Sequence, residues 1–124
     1  MKQVTLDYIF KTSSKMLFKR LSTPSGLSEW FADDVTVRDG EYTFKWKDNF
    51  QTAKYQIDRR KQCIKFDWID EDKEFLEFKI EESTISDEIT LLITDFIEDY
   101  EDEDDGRDFW DDLIKRFKQK IGLK

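Results

Sequence analysis

Hydrophobic and polar positions alternate along most of the first hundred residues, and helical spacing takes over at three places. Val4, Leu6, Tyr8 and Phe10 alternate with Thr5, Asp7, Ile9 and Lys11, the period of two of a strand with one buried face. Ser13 or Ser14 then caps a short helix carrying Met16, Leu17, Phe18 and Leu21. Thr23-Pro24-Ser25-Gly26 breaks it. A second short helix, Leu27 to Phe31, places Leu27, Trp30 and Phe31 on one face, and Asp33-Asp34 ends it.

A run of short strands follows. Val35 and Val37 form one, and Asp39-Gly40 is a hairpin turn signal. Tyr42, Phe44 and Trp46 then share one face, opposite Thr43, Lys45 and Lys47. Beyond a turn at Lys47-Asp48-Asn49, Ala53, Tyr55 and Ile57 oppose Thr52, Lys54 and Gln56. Asp58 to Lys61 turns the chain into Ile64, Phe66 and Trp68, opposed by Lys65 and Asp67. Asp70-Glu71-Asp72 turns again, before Leu76, Phe78 and Ile80. After Glu82-Ser83-Thr84, the last strand runs from Glu88 to Ile97. Its alternation blurs at Leu91, Leu92 and Ile93, which predicts burial on both faces. The regular spacing of these turns predicts an antiparallel meander.

An acidic loop, Glu98 to Asp105, leads to a final helix over about Arg107 to Lys120. Phe109, Trp110, Leu113, Ile114, Phe117 and Ile121 form its broad apolar face. Acids crowd its start, and Lys115, Arg116, Lys118 and Lys120 crowd its end, which complements the helix dipole. Asp111 with Lys115 and Asp112 with Arg116 add pairs worth about 0.3–0.5 kcal/mol each. Gly122 is placed to stop the helix. The element order is α+β in one domain spanning residues 1–124, with about seven strands.

Composition narrows the chemistry. The 124 residues are 38% hydrophobic and 15% aromatic, enough for one core. No stretch approaches the ~20 apolar residues of a membrane span, and the N-terminus lacks the apolar core of a signal peptide. The lone cysteine, Cys63, fits a reducing cytoplasm; on the outer side of its strand, without a histidine or a second cysteine nearby, it is expected to be inert. Histidine is absent, which removes the Ser-His-Asp triad, the Cys-His dyad and His-liganded zinc. No cofactor is implied. Of the net charge of −8, the segment Asp95–Asp112 supplies −10, from eleven acids and Arg107. That balance argues against a nucleic-acid partner, which needs a dominant basic stripe. A basic group, Lys45, Lys47, Lys54, Arg59, Arg60, Lys61 and Lys65, falls on the outward strand positions and turns, as a solvated face or a docking surface.

The element order, together with Pro24, Gly26, Leu27, Trp30 and Phe31 in a pattern P-x-G-L-x-x-W-F, resembles the helix-grip proteins of the START-like (SRPBCC) superfamily, near the branch related to the activator of Hsp90 ATPase. In that branch an aromatic often stands early in the last helix, as Trp110 does. The resemblance implies a curved sheet gripping the C-terminal helix, with either a packed core or an apolar cavity between them. Fold alone does not choose among the functions such proteins host.

Candidate pocket residues are Trp30, Phe31, Tyr42, Phe44, Trp46, Tyr55, Phe66, Trp68, Trp110, Leu113 and Phe117, with Tyr42 and Tyr55 as polar groups; the same rings also suffice to fill a core. Glu101, Glu103, Asp105, Gly106 and Asp112 fall at calcium-loop spacing, but the residue types are wrong at both ends and a solvated acidic loop explains them. Asp67, Glu77, Asp87 and Asp95 are strand acids; Asp67 and Glu77 alternate outward, and Asp95 can point either way. The leading expectation is a module that holds a hydrophobic small molecule or lipid between sheet and helix. A protein-interaction module of the Hsp90-cochaperone type, using the polarised surface, is the alternative. A histidine-free cyclase- or hydrolase-like enzyme ranks third.

Overall fold

The computed structural model describes residues 1–69 and 74–123; the turn expected at Asp70-Glu71-Asp72 lies outside them. The chain runs β1 (Lys2–Phe10), α1 (Ser14–Ser22), α2 (Pro24–Trp30), β2 (Asp34–Arg38), β3 (Glu41–Trp46), β4 (Asn49–Asp58), β5 (Cys63–Trp68), β6 (Phe75–Glu82), β7 (Ile89–Ile97) and α3 (Glu103–Lys120). The strands form one curved antiparallel sheet in the order β1-β7-β6-β5-β4-β3-β2. The first two strands in sequence therefore lie at opposite edges, and α1 and α2 carry the chain between them. The hairpin at Asp39-Gly40 has positive φ at both central residues, 53° and 80°, as a two-residue turn matched to strand twist requires.

Alternation selects the inner face. Phe44, Ala53, Ile64, Phe66, Phe78, Leu91 and Ile93 are fully enclosed. Leu92 is only half-buried, and burial on both faces of β7 falls at Phe96 and Ile97, where Phe96 packs on Phe75 at 4.9 Å. Trp110, Leu113, Ile114 and Phe117 bury α3 against the sheet, with ring centroids 5.5 Å apart for Phe10–Phe117 and 6.0 Å for Phe78–Trp110. Phe109 sits at the margin of that face and is 60% exposed.

Two boundaries differ from the sequence reading. Thr23-Pro24-Ser25-Gly26 is the first turn of α2 as well as the end of α1: the Thr23 hydroxyl caps it by accepting from the Gly26 amide at 3.0 Å, and Pro24 occupies a position that needs no N–H. α3 starts at Glu103, one turn before Arg107, because the Asp102 carboxylate caps it and Glu103, Asp104 and Asp105 complement the dipole. Three of the eight residues of the expected acidic loop are thus helix. Gly106 lies inside that helix, where an added Cβ would stand 3.2 Å from Ile97 Cγ2; the glycine lets α3 approach β7.

Gly26 is more constrained. A Cβ there would lie 2.5 Å from Arg20 Cα and 2.8 Å from the Lys19 carbonyl oxygen, so α1 and α2 must separate to admit one. Gly26→Ala is expected to destabilise the domain by about 1–3 kcal/mol, measurable as a lower urea midpoint at unchanged slope. An unchanged midpoint would show that the helix pair relaxes freely.

Candidate functional site

The residues of the P-x-G-L-x-x-W-F stretch converge on one side of α3. Leu27 is fully buried. Trp30 donates its indole N–H to the Arg20 carbonyl at 3.0 Å and lies flat on Phe117, with centroids 4.3 Å apart at 9°. Phe31 stacks near-parallel to Trp110 at 6.0 Å and meets Phe44, Trp46 and Phe78 edge-on. The Phe31 carbonyl in turn accepts from Trp46 Nε1 at 2.8 Å, which fixes β3 against the end of α2.

Beside this cluster lies a cleft of about 670 Å³, walled by the end of α2 and the residues after it, the near ends of β3 to β7, and the middle of α3. Six of the eleven sequence candidates line it: Trp30, Phe31, Trp46, Trp68, Trp110 and Leu113. Phe44, Phe66 and Phe117 are in the filled interior. Tyr42 is buried there too, and its hydroxyl donates to the Ser22 carbonyl at 2.6 Å; burial, then the neighbouring Tyr55, raises its pKa. Tyr55 packs on Tyr42 at 4.9 Å, away from the cleft lining. Neither tyrosine supplies the cleft's polar groups. Those come from Ser28, Glu29, Asp33, Asn49, Gln51, Asp95 and Arg116. Alternation could not find them, because most sit at strand and helix ends, where period says nothing about direction. The volume lies in the range of small-molecule sites, and so does the mix of a mainly aromatic wall with a few polar groups.

Asp95 points inward. It is 9% exposed and accepts from its neighbour's amide, Phe96 N–H, at 2.8 Å and from Trp110 Nε1 at 3.0 Å. Both oxygens are engaged in holding backbone and indole. Trp68 is half-buried, and its indole Nε1 is enclosed without a hydrogen-bond partner among the described residues, a state that calls for a water or ligand acceptor.

The other candidates disperse. Asp67 accepts from Gln56 on the outer face. Asp87 is exposed in the loop between β6 and β7, not on a strand, since its neighbours Ser83 and Ser86 form turns by capping backbone amides. Glu103, Asp105, Gly106 and Asp112 of the calcium-like spacing lie along α3; a helix spreads their side chains around its axis and cannot fold them about one ion. Among the described residues no three ligating side chains gather. The seven basic residues are exposed apart from half-buried Lys65. A larger, more open depression of about 1010 Å³ at the start of α1 is lined by Lys11 to Ser14, by Glu82, Ser83, Ser86, Asp87 and Glu88, and by Ile89 as its one large apolar side chain. It lacks the apolar wall that the cleft has.

A curved antiparallel sheet gripping a C-terminal helix, with an aromatic cleft beside that helix, defines a helix-grip domain. The sequence model for the START-like superfamily domain matches residues 1–123, and the chain belongs to that superfamily. A Bacteroides fragilis protein solved by NMR is 31% identical over 99% of this chain and 93% of its own, with a TM-score of 0.68. The Aha1 dimer from Colwellia psychrerythraea is 14% identical over 100% of both chains, TM-score 0.76. An AHSA1-like protein from Aeromonas hydrophila is 11% identical over 98% and 92%, TM-score 0.75. The last two show likeness of fold. No curated protein matches the sequence. The fold is one that serves ligand-binding and cochaperone-like modules in general. No helix among the described residues is long and apolar enough to cross a membrane.

Two measurements follow from these contacts. Trp110→Phe keeps an aromatic ring but removes the indole N–H and part of the ring volume, so it strands a buried carboxylate oxygen and leaves a gap, and is expected to cost about 1–3 kcal/mol in urea unfolding; a neutral result would mean water replaces the indole. Burial, then the Glu77 carboxylate, pushes the Cys63 thiol from 9.0 up to about 11. The unfolded thiol loses its proton first, so this group's contribution to stability is intact below pH 9 and is lost as pH rises toward 11. Thiolate absorbance is expected to titrate near 11 in the folded protein; a folded midpoint at the unfolded value contradicts the burial argument.

Proposed function

We propose that this domain binds a small, largely apolar molecule in the cleft between α2, α3 and the ends of β3–β7. The observation that carries the reading is the wall of the cleft itself, where Trp30, Phe31, Trp46, Trp68 and Trp110 surround a hollow of about 670 Å³. The rings supply apolar burial, and Asn49 and Gln51 add amide groups that can orient a ligand. The interior behind the cleft is filled, so the ligand lies beside α3 and not beneath it. Membership of a superfamily whose fold serves ligand-binding modules supports this reading.

A second reading, a protein-interaction module of the cochaperone type, is favoured by one feature: the exposed acids of α3 (Glu103, Asp104, Asp105, Asp108, Asp111 and Asp112) against the exposed lysines and arginines of β3, β4 and the β4–β5 turn. Such surfaces speed docking and lose strength with salt.

A neutral fluorescent probe, N-phenyl-1-naphthylamine, separates the two. The cleft reading expects saturable enhancement, with affinity reduced about tenfold or more by Trp68→Ala and by Trp46→Ala, and unaffected by Ile85→Ala on an exposed loop. Circular dichroism checks that each variant is folded. Enhancement that none of the three variants changes places the probe elsewhere and defeats the cleft; a salt-sensitive protein partner recovered in its place supports the second reading.

A further inference from the structure

The charge around the cleft selects among apolar ligands. All four tryptophans of the chain, Trp30, Trp46, Trp68 and Trp110, line this one hollow. A shared tryptophan lining is common in places that hold organic cations, because the face of an indole is the best cation acceptor among side chains. It is not sufficient by itself, since the same rings accept neutral ligands, so the sign of the local field decides.

Three carboxylates and one cation line the cleft: Glu29, Asp33, Asp95 and Arg116. Two of the four have an ion-pair partner. Glu29 is paired with Arg20, and Arg116 lies 3.4 Å from Asp112 one helical turn away. Asp33 and Asp95 have no ion pair among the described residues. Asp33 receives only the Lys47 backbone N–H at 2.7 Å. Asp95 is the more telling of the two. It is 91% enclosed, it borders the cleft, and both its contacts are neutral N–H groups. A carboxylate in so dry a place is normally matched by a cation, and among the described residues none pairs with it; Arg116, the one cation on the lining, pairs with Asp112.

We infer that the cleft's ligand carries a positive charge: an organic cation with a substituted ammonium or similar group, whose apolar body lies on the indoles and whose charge faces Asp95 and Asp33. The inference rests on the cleft being the binding site and adds the sign of the ligand. The acidic segment that follows Asp95 reinforces it, since a negative field raises the local concentration of cations and repels fatty acids and other anions. Lipid carboxylates are disfavoured for the same reason.

The test compares three probes of similar size: benzyltrimethylammonium, its uncharged carbon isostere neopentylbenzene, and phenylacetate. Binding is followed through the four indole N–H resonances in ¹H–¹⁵N spectra. Benzyltrimethylammonium is expected to bind about tenfold or more tightly than neopentylbenzene, to shift the Trp46 and Trp68 signals, and to lose that advantage in part with Asp33→Asn and further with Asp95→Asn. Asp33 is exposed and its backbone contact survives as an amide, so this variant remains informative if Asp95→Asn disturbs Trp110. Equal affinity for charged and uncharged probes, tighter binding of phenylacetate, or a preference untouched by Asp33→Asn in a folded protein overturns the cationic assignment while leaving an apolar cleft. Indole signals unmoved by all three probes overturn the cleft reading as well.

Discussion

The contact between Trp110 and its surroundings decides how α3 sits on the sheet. Its indole N–H is held by Asp95 of β7, one face lies along Phe31 at the end of α2, and its edge meets Phe78 of β6. Three segments distant in sequence are joined through one side chain. A helix packed only by aliphatic contacts can slide or roll along a sheet at little cost, since dispersion is nearly isotropic. A buried hydrogen bond to a fixed carboxylate removes that freedom, because shifting the helix strands a donor and an acceptor together. The cleft exists because α3 is held in this position and not driven further onto the strand ends. Its far wall, Trp46 on β3, is fixed separately through the Phe31 carbonyl.

The same constraint explains why the core is packed while its margin is open. Under α3 the rings of Phe10, Phe78 and Phe117 leave no exposed surface worth noting, and Trp30 covers Phe117 face to face. Beyond Trp110 the helix begins with acids and Gly106, residues that cap and approach but do not fill. Apolar side chains thin out toward that end of the sheet, and the strand termini contribute Asn49 and Gln51 in their place. The hollow lies beside the middle of α3, where Phe109, Trp110, Leu113 and Arg116 face those strand ends.

Much of this was legible in the chain. Period-two alternation located every strand, because one face of each is buried. The motif around Pro24–Phe31 pointed to the superfamily, and its physical content is now visible: Thr23 caps, Pro24 starts, Gly26 permits contact with α1, and Trp30 and Phe31 enter the aromatic cluster. Half of the candidate rings surround the cleft and half fill the core, and alternation cannot separate these, since both groups face inward. The distinction depends on where along the strand a ring falls. Phe44 at mid-strand is enclosed, whereas Trp46, two residues on and on the same face, reaches the strand end and the opening. The acids before Arg107 misled for a different reason: the residues that best stabilise a helix N-terminus are also those typical of solvated loops.

Asp95 ties the architecture to the proposed chemistry. As a strand acid at a position of blurred alternation, it carried no signal of direction. In the structure it is a structural acceptor with no ion-pair partner among the described residues. For structure alone a neutral acceptor would serve: an asparagine oxygen can accept from an indole without the desolvation cost of a carboxylate. On the proposal that the cleft takes an organic cation, a charged group at a buried joint beside four tryptophans has a role beyond holding α3. Under that proposal the position of the helix and the sign of the ligand rest on the same side chain, and the residue that anchors the helix would also select the guest.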